Sequence, residues 1–207
     1  MQKAGPEMIA ARREEIINAC EKLYQTKGFK AITLKDIGAI TSFTRTSIYN
    51  YFQTKEEIFL ALLKREYEIW IKDLKKLMRE NPSMTKEEFS KNFARSLAER
   101  AQLLKLLAMN HYDIESGSRQ EQLVEFKIVY GETLRTVTQC LQQYFPDMSV
   151  EEKQNFLYIF FPFMFGIYPY TVVNEKQKTA METANVNYVF MSIYEITYNC
   201  VKKLLGE

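Results

Sequence analysis

Arg45, Thr46, Ser47, Tyr49 and Asn50 are the residues whose types and spacing carry the clearest chemistry in this chain. They lie in TLKDIGAITSFTRTSIYNYFQTKEEIF, residues 33–59. Ile48 and Phe52, four apart, would give a short helix one buried face. The five polar residues are then left for the groove side of DNA, where a guanidinium, hydroxyls and an amide can reach base edges.

Other chemistries lack their parts. His111 is the single histidine, which removes most zinc sites and any histidine-based triad. A surface or capping role is expected for it. Cys20, Cys140 and Cys200 are far apart and form no CxxC pair, so they read as small buried residues of a reducing cytoplasm. No P-loop or dinucleotide-binding glycine pattern occurs, and no nucleophile, base and oxyanion site assemble. No metal and no cofactor are expected. The first fifteen residues contain no apolar stretch of the secretory kind.

The chain must position those polar residues with helices. Only 7 Gly and 5 Pro occur in 207 residues, which disfavours an all-β sandwich. Period-2 alternation is nowhere sustained, so the reading is all-α. Helices are expected over about 8–27, 34–41, 45–51, 55–79, 86–107, 119–145, 150–173 and 184–205. Thr33, Thr54, Thr85 and Ser149 each begin a capping-box pattern. Thr44 can cap the second short helix. Polar breaks are expected at 111–118 and 174–183. Within the short pair, Ile37 and Ile40 should face inward and Phe43 should pin the turn. Charge is uneven: residues 1–55 carry nine Lys and Arg against five Asp and Glu, and residues 56–207 carry nineteen against twenty-one. A basic first quarter is what a polyanion partner would require.

Residues 10–60 resemble the N-terminal domain of the TetR/AcrR family of bacterial transcriptional regulators. The matching features are a first helix ending in Gly28-Phe29, then Thr33, Asp36-Ile37, Tyr49-x-Tyr51-Phe52, and Lys55 with Glu56-Glu57. Two positions depart. Ser42 stands where the family usually has glycine, and Thr41 where it usually has alanine. A slightly altered turn is expected, with no loss of the fold. The resemblance implies a three-helix helix-turn-helix head over 1–53 and a helical regulatory and dimerisation body over 54–207. It implies DNA-binding roles for Thr33, Lys35, Thr44, Arg45, Thr46, Ser47, Tyr49, Asn50 and Lys55. Among these, Arg45 would take a guanine, Tyr49 the DNA backbone and Lys55 a phosphate at the start of the fourth helix. The partners so implied are a palindromic double-stranded operator, a second copy of the chain, and an effector that releases a repressor from DNA.

The body is aromatic. Residues 156–173, FLYIFFPFMFGIYPYTVV, are eighteen without a charge. That reaches the lower bound for a membrane span, but Pro162, Gly166, Pro169 and three tyrosines interrupt it, and no membrane partner is expected. A helix apolar on all sides is buried on all sides, here by its own core and a partner subunit, with kinks at the prolines. Two helices of each copy would build the dimer interface, through Phe160, Met164, Val186, Val189, Phe190, Ile193, Thr197, Cys200 and Val201. A small lipophilic effector is expected among Tyr67, Trp70, Ile71, Phe93, Leu97, Phe126, Tyr130, Phe163 and Ile167. The competing readings are an all-helical soluble enzyme and a membrane-associated protein inserting 156–173.

Overall fold

In the computed structural model the protein is described over residues 5–42 and 44–206, with backbone only for Arg45, Met109 and Asn110. The expectation for Phe43 and that for the Arg45 side chain therefore lie outside the described residues. Ten α-helices occur among them: α1 Pro6–Thr26, α2 Leu34–Ala39, α3 Arg45–Ile48, α4 Lys55–Glu80, α5 Lys86–Ala98, α6 Ala101–Ser116, α7 Gln120–Tyr144, α8 Val150–Thr171, α9 Glu175–Thr183 and α10 Ile193–Leu204. A single 3-10 turn, Phe29–Ala31, follows α1.

Local chemistry explains most helix starts. Thr33 with Asp36, Thr85 with Glu88, and Ser149 with Glu152 form complete capping boxes. Asn174 with Gln177 and Ser192 with Glu195 form two more. The first of these turns the expected polar break 174–183 into α9, because an Asn cap satisfies orphan amides that sequence polarity alone leaves open. The second moves the start of the last helix from 184 to Ile193. Residues 186–191 carry no regular secondary structure, and Asn185 before them has a positive φ of 54°. The break expected at 111–118 is shorter and falls at 117–119, since α6 continues to Ser116. The helix expected over 86–107 is divided, with α5 ending at Ala98.

The chain forms two compact units, Met1–Arg65 with Asn110–Val129, and Glu66–Met109 with Tyr130–Glu207. The first unit closes around Ile16, Cys20, Tyr24, Ile37, Ile48, Phe52, Phe59 and Leu63, all buried. Tyr24 and Phe29 meet the ring of Phe59 edge-on at 5.1 and 4.8 Å. Burying such rings contributes roughly 1.5–3 kcal/mol each. Ile37 faces inward as expected, but Ile40 is 45% exposed, because α2 ends one residue before it.

The core of the second unit is a stack of rings from α4, α5 and α8. Trp70 lies 5.7 Å from Phe93 and 6.4 Å from Phe161, and Phe93 lies 5.1 Å from Phe160. α8 runs through Pro162 and Pro169 as one helix, and both prolines sit on its exposed side. There water can take the carbonyls whose helical bonds the prolines remove. The helix is not buried all round: Tyr158 is 70%, Ile159 53% and Tyr170 59% exposed.

Candidate nucleic-acid interface

The candidate surface belongs to the first unit. α2 is started by Thr33, whose hydroxyl accepts from the Asp36 N–H at 3.2 Å while the Asp36 carboxylate accepts the Thr33 N–H at 2.9 Å. The Thr33 hydroxyl, then its N–H, then Lys27 hold the Asp36 carboxyl down at about 2. From this helix Thr33 and Lys35 are exposed. α3 is a single turn with its inner side fixed by Ile48, 0% exposed. Thr44, Thr46 and Asn50 are exposed, Tyr49 is 46% exposed, and Ser47 is half-buried. The Thr44 and Ser47 hydroxyls lie 3.2 Å apart, and Thr44 makes no side-chain cap to the helix backbone.

Lys55 has a second engagement that its sequence position does not reveal. Its ammonium donates to the Phe29 and Ile32 carbonyls at 3.0 and 3.3 Å and sits 4.2 Å above the Phe29 ring. With Lys30, Lys35, Ile32, Thr33, Leu34 and Glu56 it lines a shallow groove of about 550 Å³. Three lysines along one groove favour an anion.

The turn between α2 and α3 is held from α1. The Ser42 N–H donates to one oxygen of the Glu15 carboxylate, and the Ser42 hydroxyl donates to the other at 3.1 Å. Arg12 donates to the same hydroxyl at 3.0 Å. Ser42 does not use the left-handed backbone; Asn185 is the one non-glycine residue that does, among the described residues. The altered turn expected from serine is thus made with side-chain bonds.

A further group escapes the sequence reading. Glu57, 0% exposed, accepts from Arg119 Nε at 2.5 Å, Arg119 Nη2 at 3.0 Å and the Gln53 N–H at 2.7 Å. Burial alone would raise its pKa, but the Arg119 guanidinium and the two backbone amides outweigh burial and hold it below the usual carboxylate range. Next to it the Thr54 hydroxyl donates to the Gly117 carbonyl at 3.0 Å. A Cβ on Gly117 would come within 2.5 Å of Glu56 Cγ and 3.1 Å of the Asp113 carbonyl, so only glycine fits there. Glu57 reads in sequence as the N3 residue of a box. Its partner is 62 positions away, beyond any local pattern.

In the second unit the structure brings together Tyr67, Trp70, Phe93 and Leu97, each 0% exposed, with Ile71 and Ile167 buried and Tyr130 and Phe163 half-buried. Tyr67 lies 5.8 Å from Tyr130, which lies 5.8 Å from Phe161. The Trp70 indole donates to Ser96 at 3.1 Å. Phe126 is buried too, but belongs to the first unit. The expected interface residues divide. Phe160, Met164, Thr197 and Val201 are 0% exposed, which corrects their assignment to a subunit surface. The cause is α10, which packs on α5 and α8 of its own chain and is fastened there by Tyr198 and Lys202 on Glu87. Ile193 and Cys200 are half-buried. Val186, Val189 and Phe190 are 50%, 75% and 43% exposed, in the non-helical stretch before α10 and not on a helical stripe.

His111 is half-buried on α6, with Nε2 3.2 Å from Glu115. Among the described residues no group of three His, Cys, Asp or Glu could hold a metal ion. No single helix there is long and apolar enough to cross a membrane; α8 and α9 reach that measure only as a pair bent by 82°.

Residues 16–62 match the family of bacterial regulatory proteins, tetR family, and residues 64–197 match the Tetracyclin repressor-like, C-terminal domain. The chain is 34% identical over 53 residues to the uncharacterized HTH-type transcriptional regulator YfiR of Bacillus subtilis, covering 26% of each. It is 27% identical over 67 residues to the HTH-type transcriptional regulator RutR of Escherichia coli, covering 32% of each. The match thus spans about a quarter to a third of these curated relatives. Over the whole chain the fold is that of the fatty acid degradation regulator FadR of Bacillus halodurans, with TM-score 0.61, 16% identity and coverage of 99% and 97%. FadR of Bacillus subtilis in complex with stearoyl-CoA has TM-score 0.60 at 16% identity, covering 93% of this chain and 97% of that one. The Thermus thermophilus repressor FadR in complex with lauroyl-CoA has 0.58 at 17%, covering 94% and 93%. With both halves of the chain matched in order, and the helix-turn-helix where the first match falls, the chain belongs to the TetR family of bacterial transcriptional regulators.

Proposed function

We propose that the protein is a dimeric, sequence-specific DNA-binding repressor of the cytoplasm that leaves a palindromic operator when a small lipophilic ligand binds. The observation that carries this is the exposed polar face of α2 and α3 in a family-matched helix-turn-helix. Functionally, 1–53 act as the head and 54–207 as the body. Thr33, Lys35, Thr44, Arg45, Thr46, Ser47, Tyr49 and Asn50 meet the groove and backbone. Lys55 holds the Phe29 and Ile32 carbonyls with two of its protons and offers the third to a phosphate.

Arg45→Ala should cost about 1–3 kcal/mol on the cognate site and relax preference at one base position. Lys55→Ala should weaken binding to all sequences alike, flatten the salt slope by about one unit, and also lower the melting temperature. Binding isotherms at several salt concentrations check both. Parent-like binding of a selected site by both variants would contradict the assignment of the recognition helix.

The ligand reading rests on the ring cluster around Trp70, supported by two neighbours of the same fold solved with acyl-CoA. α4 carries Lys55 at its start and Tyr67, Trp70 and Ile71 further along. A ligand that favours one setting of α4 shifts the spacing of the two heads, which must stay about 34–36 Å apart to enter successive major grooves. DNA affinity falls by the ligand's preference between the two states. Lauroyl- and stearoyl-CoA are the first probes. A ligand at a hundred times its Kd should stabilise the protein by about 2.7 kcal/mol. It should also change the emission of Trp70, the sole tryptophan, and release bound DNA. Unchanged melting and undisturbed DNA binding with apolar and acyl probes would overturn the ligand reading.

For dimerisation the support is the outward face of α8. Asn155, Tyr158, Ile159, Pro162, Gly166 and Tyr170 are exposed and uncharged. A Cβ added at Gly166 meets nothing within 4 Å, so a second backbone can approach closely. Val186, Val189 and Phe190 are exposed apolar residues as well, and exposed apolar area marks a contact site.

A further inference from the structure

We infer that Glu15 and Ser42 are positioning residues for DNA reading: a carboxylate on α1 grips the turn of the helix-turn-helix and thereby sets the direction of α3. The inference rests on the DNA-binding reading above and names residues that touch no DNA in it.

The argument begins with α3 itself. It has four residues, Arg45–Ile48. One helical turn does not sustain itself in water, so its direction must be imposed from its ends. At the far end Ile48 and Phe52 are both 0% exposed and anchor the chain in the core. At the near end the turn offers backbone amides that need partners. Glu15 supplies one. Its two oxygens take the Ser42 N–H and the Ser42 hydroxyl together, and the same hydroxyl accepts from Arg12 at 3.0 Å. Two bonds from one planar group fix an angle as well as a distance.

Glu15 is itself held still. The adjacent Ile16 and Ile17 are buried. Glu14, Asn18 and Glu21 accept from Arg65 at 2.5, 2.6 and 2.6 Å, tying α1 to α4 on both sides of Glu15. A carboxylate carried by a pinned helix is a fixed reference for Ser42. The Ser42 N–H, followed by its hydroxyl, holds the Glu15 carboxyl below its usual range, consistent with bonds made to the charged form.

The sign of the electrostatic alternative is opposite, which makes the test decisive. If Glu15 acted only as a charge near DNA, its removal would tighten binding to every duplex. If it positions α3, its removal weakens binding only where base edges are read. Affinities are measured for a duplex selected from a random pool by the unmutated protein and for a scrambled duplex of equal length. Glu15→Ala is expected to bind the selected duplex about tenfold more weakly, as loss of a charge-assisted hydrogen bond implies. On the scrambled duplex it should bind as well as the parent or better. Glu15→Gln keeps an acceptor for the Ser42 N–H and should retain most of the selectivity. Ser42→Ala removes one hydroxyl and should lose an intermediate amount. The double variant Glu15→Ala/Ser42→Ala should be no worse than Glu15→Ala alone, since both act through one contact. Should Glu15→Ala melt below the assay temperature, the selected-to-scrambled ratio of Ser42→Ala carries the same test. An unchanged ratio in Glu15→Ala, or single effects that add in full, would overturn the clamp. If the unmutated protein prefers neither duplex, the DNA-binding reading fails first and the clamp falls with it.

Discussion

Arg119→Ala is expected to lower the melting temperature, because it removes the cation that faces a buried carboxylate. Glu57 would keep its place at the start of α4, 0% exposed, with the backbone N–H groups of Gln53 and of position 119 still donating to it. The Arg119 side chain is 41% exposed, so water screens part of the pair and limits the loss. The pH dependence identifies the cause. In the parent the folded pKa of Glu57 is depressed below 4.5. Its contribution is therefore complete above pH 4.5 and is lost as the pH falls through the lower folded value. In the variant the guanidinium no longer offsets burial and the folded pKa rises toward or above its usual range, so the carboxyl takes up a proton more readily at mild acidity. The gap in melting temperature between parent and variant should therefore narrow as the pH falls from 7 toward 4. Thermal melts across that range measure it. Equal melting temperatures at pH 7 would mean that the pair contributes nothing.

Ile159→Asp is expected to convert a dimer into a monomer. Ile159 is 53% exposed in the single chain, so the substitution leaves the protomer core intact and acts on what meets α8. An unpaired carboxylate in such an interface is strongly destabilising. Losing the second head should cost about 10²–10⁴ in affinity for a palindromic site, the usual gain from linking two binding modules. Sedimentation velocity at micromolar concentration, beside DNA titration, reads both effects. A parent that sediments as a monomer would remove the dimer from the account. A variant that stays dimeric would move the interface away from α8.

The head was legible because its determinants are local. Thr33 and Asp36 are three apart, Ile48 and Phe52 four apart, and such spacings translate directly into a cap and a buried face. The all-helical class followed from similar patterns, including the boxes at Thr85 and Ser149. What escaped depends on residues distant in sequence. The Glu57–Arg119 pair spans 62 positions and the Ser42–Glu15 bonds span 27. The stripe read across 184–205 failed for another reason: Val186, Val189 and Phe190 fit a helical period, but the cap that starts the helix is Ser192. Periodicity says which side of a helix would be apolar, and not where the backbone begins to turn. Phe160, Met164, Thr197 and Val201 were apolar or small as an interface requires, but one chain's core makes the same demand. Tyr67, Trp70 and Phe93 lie together in one core because α4, α5 and α8 contribute fully buried rings there, and such rings have few places to go.

The central claim is that this helix-turn-helix reads DNA as a symmetric pair. Selection of bound duplexes from a random pool, followed by sequencing, addresses it most directly. The account predicts an enriched inverted repeat whose half-sites are centred about one helical turn, 10–10.5 base pairs, or a multiple of it apart. An enrichment with no symmetry, or no enrichment at all over the input pool, would contradict it.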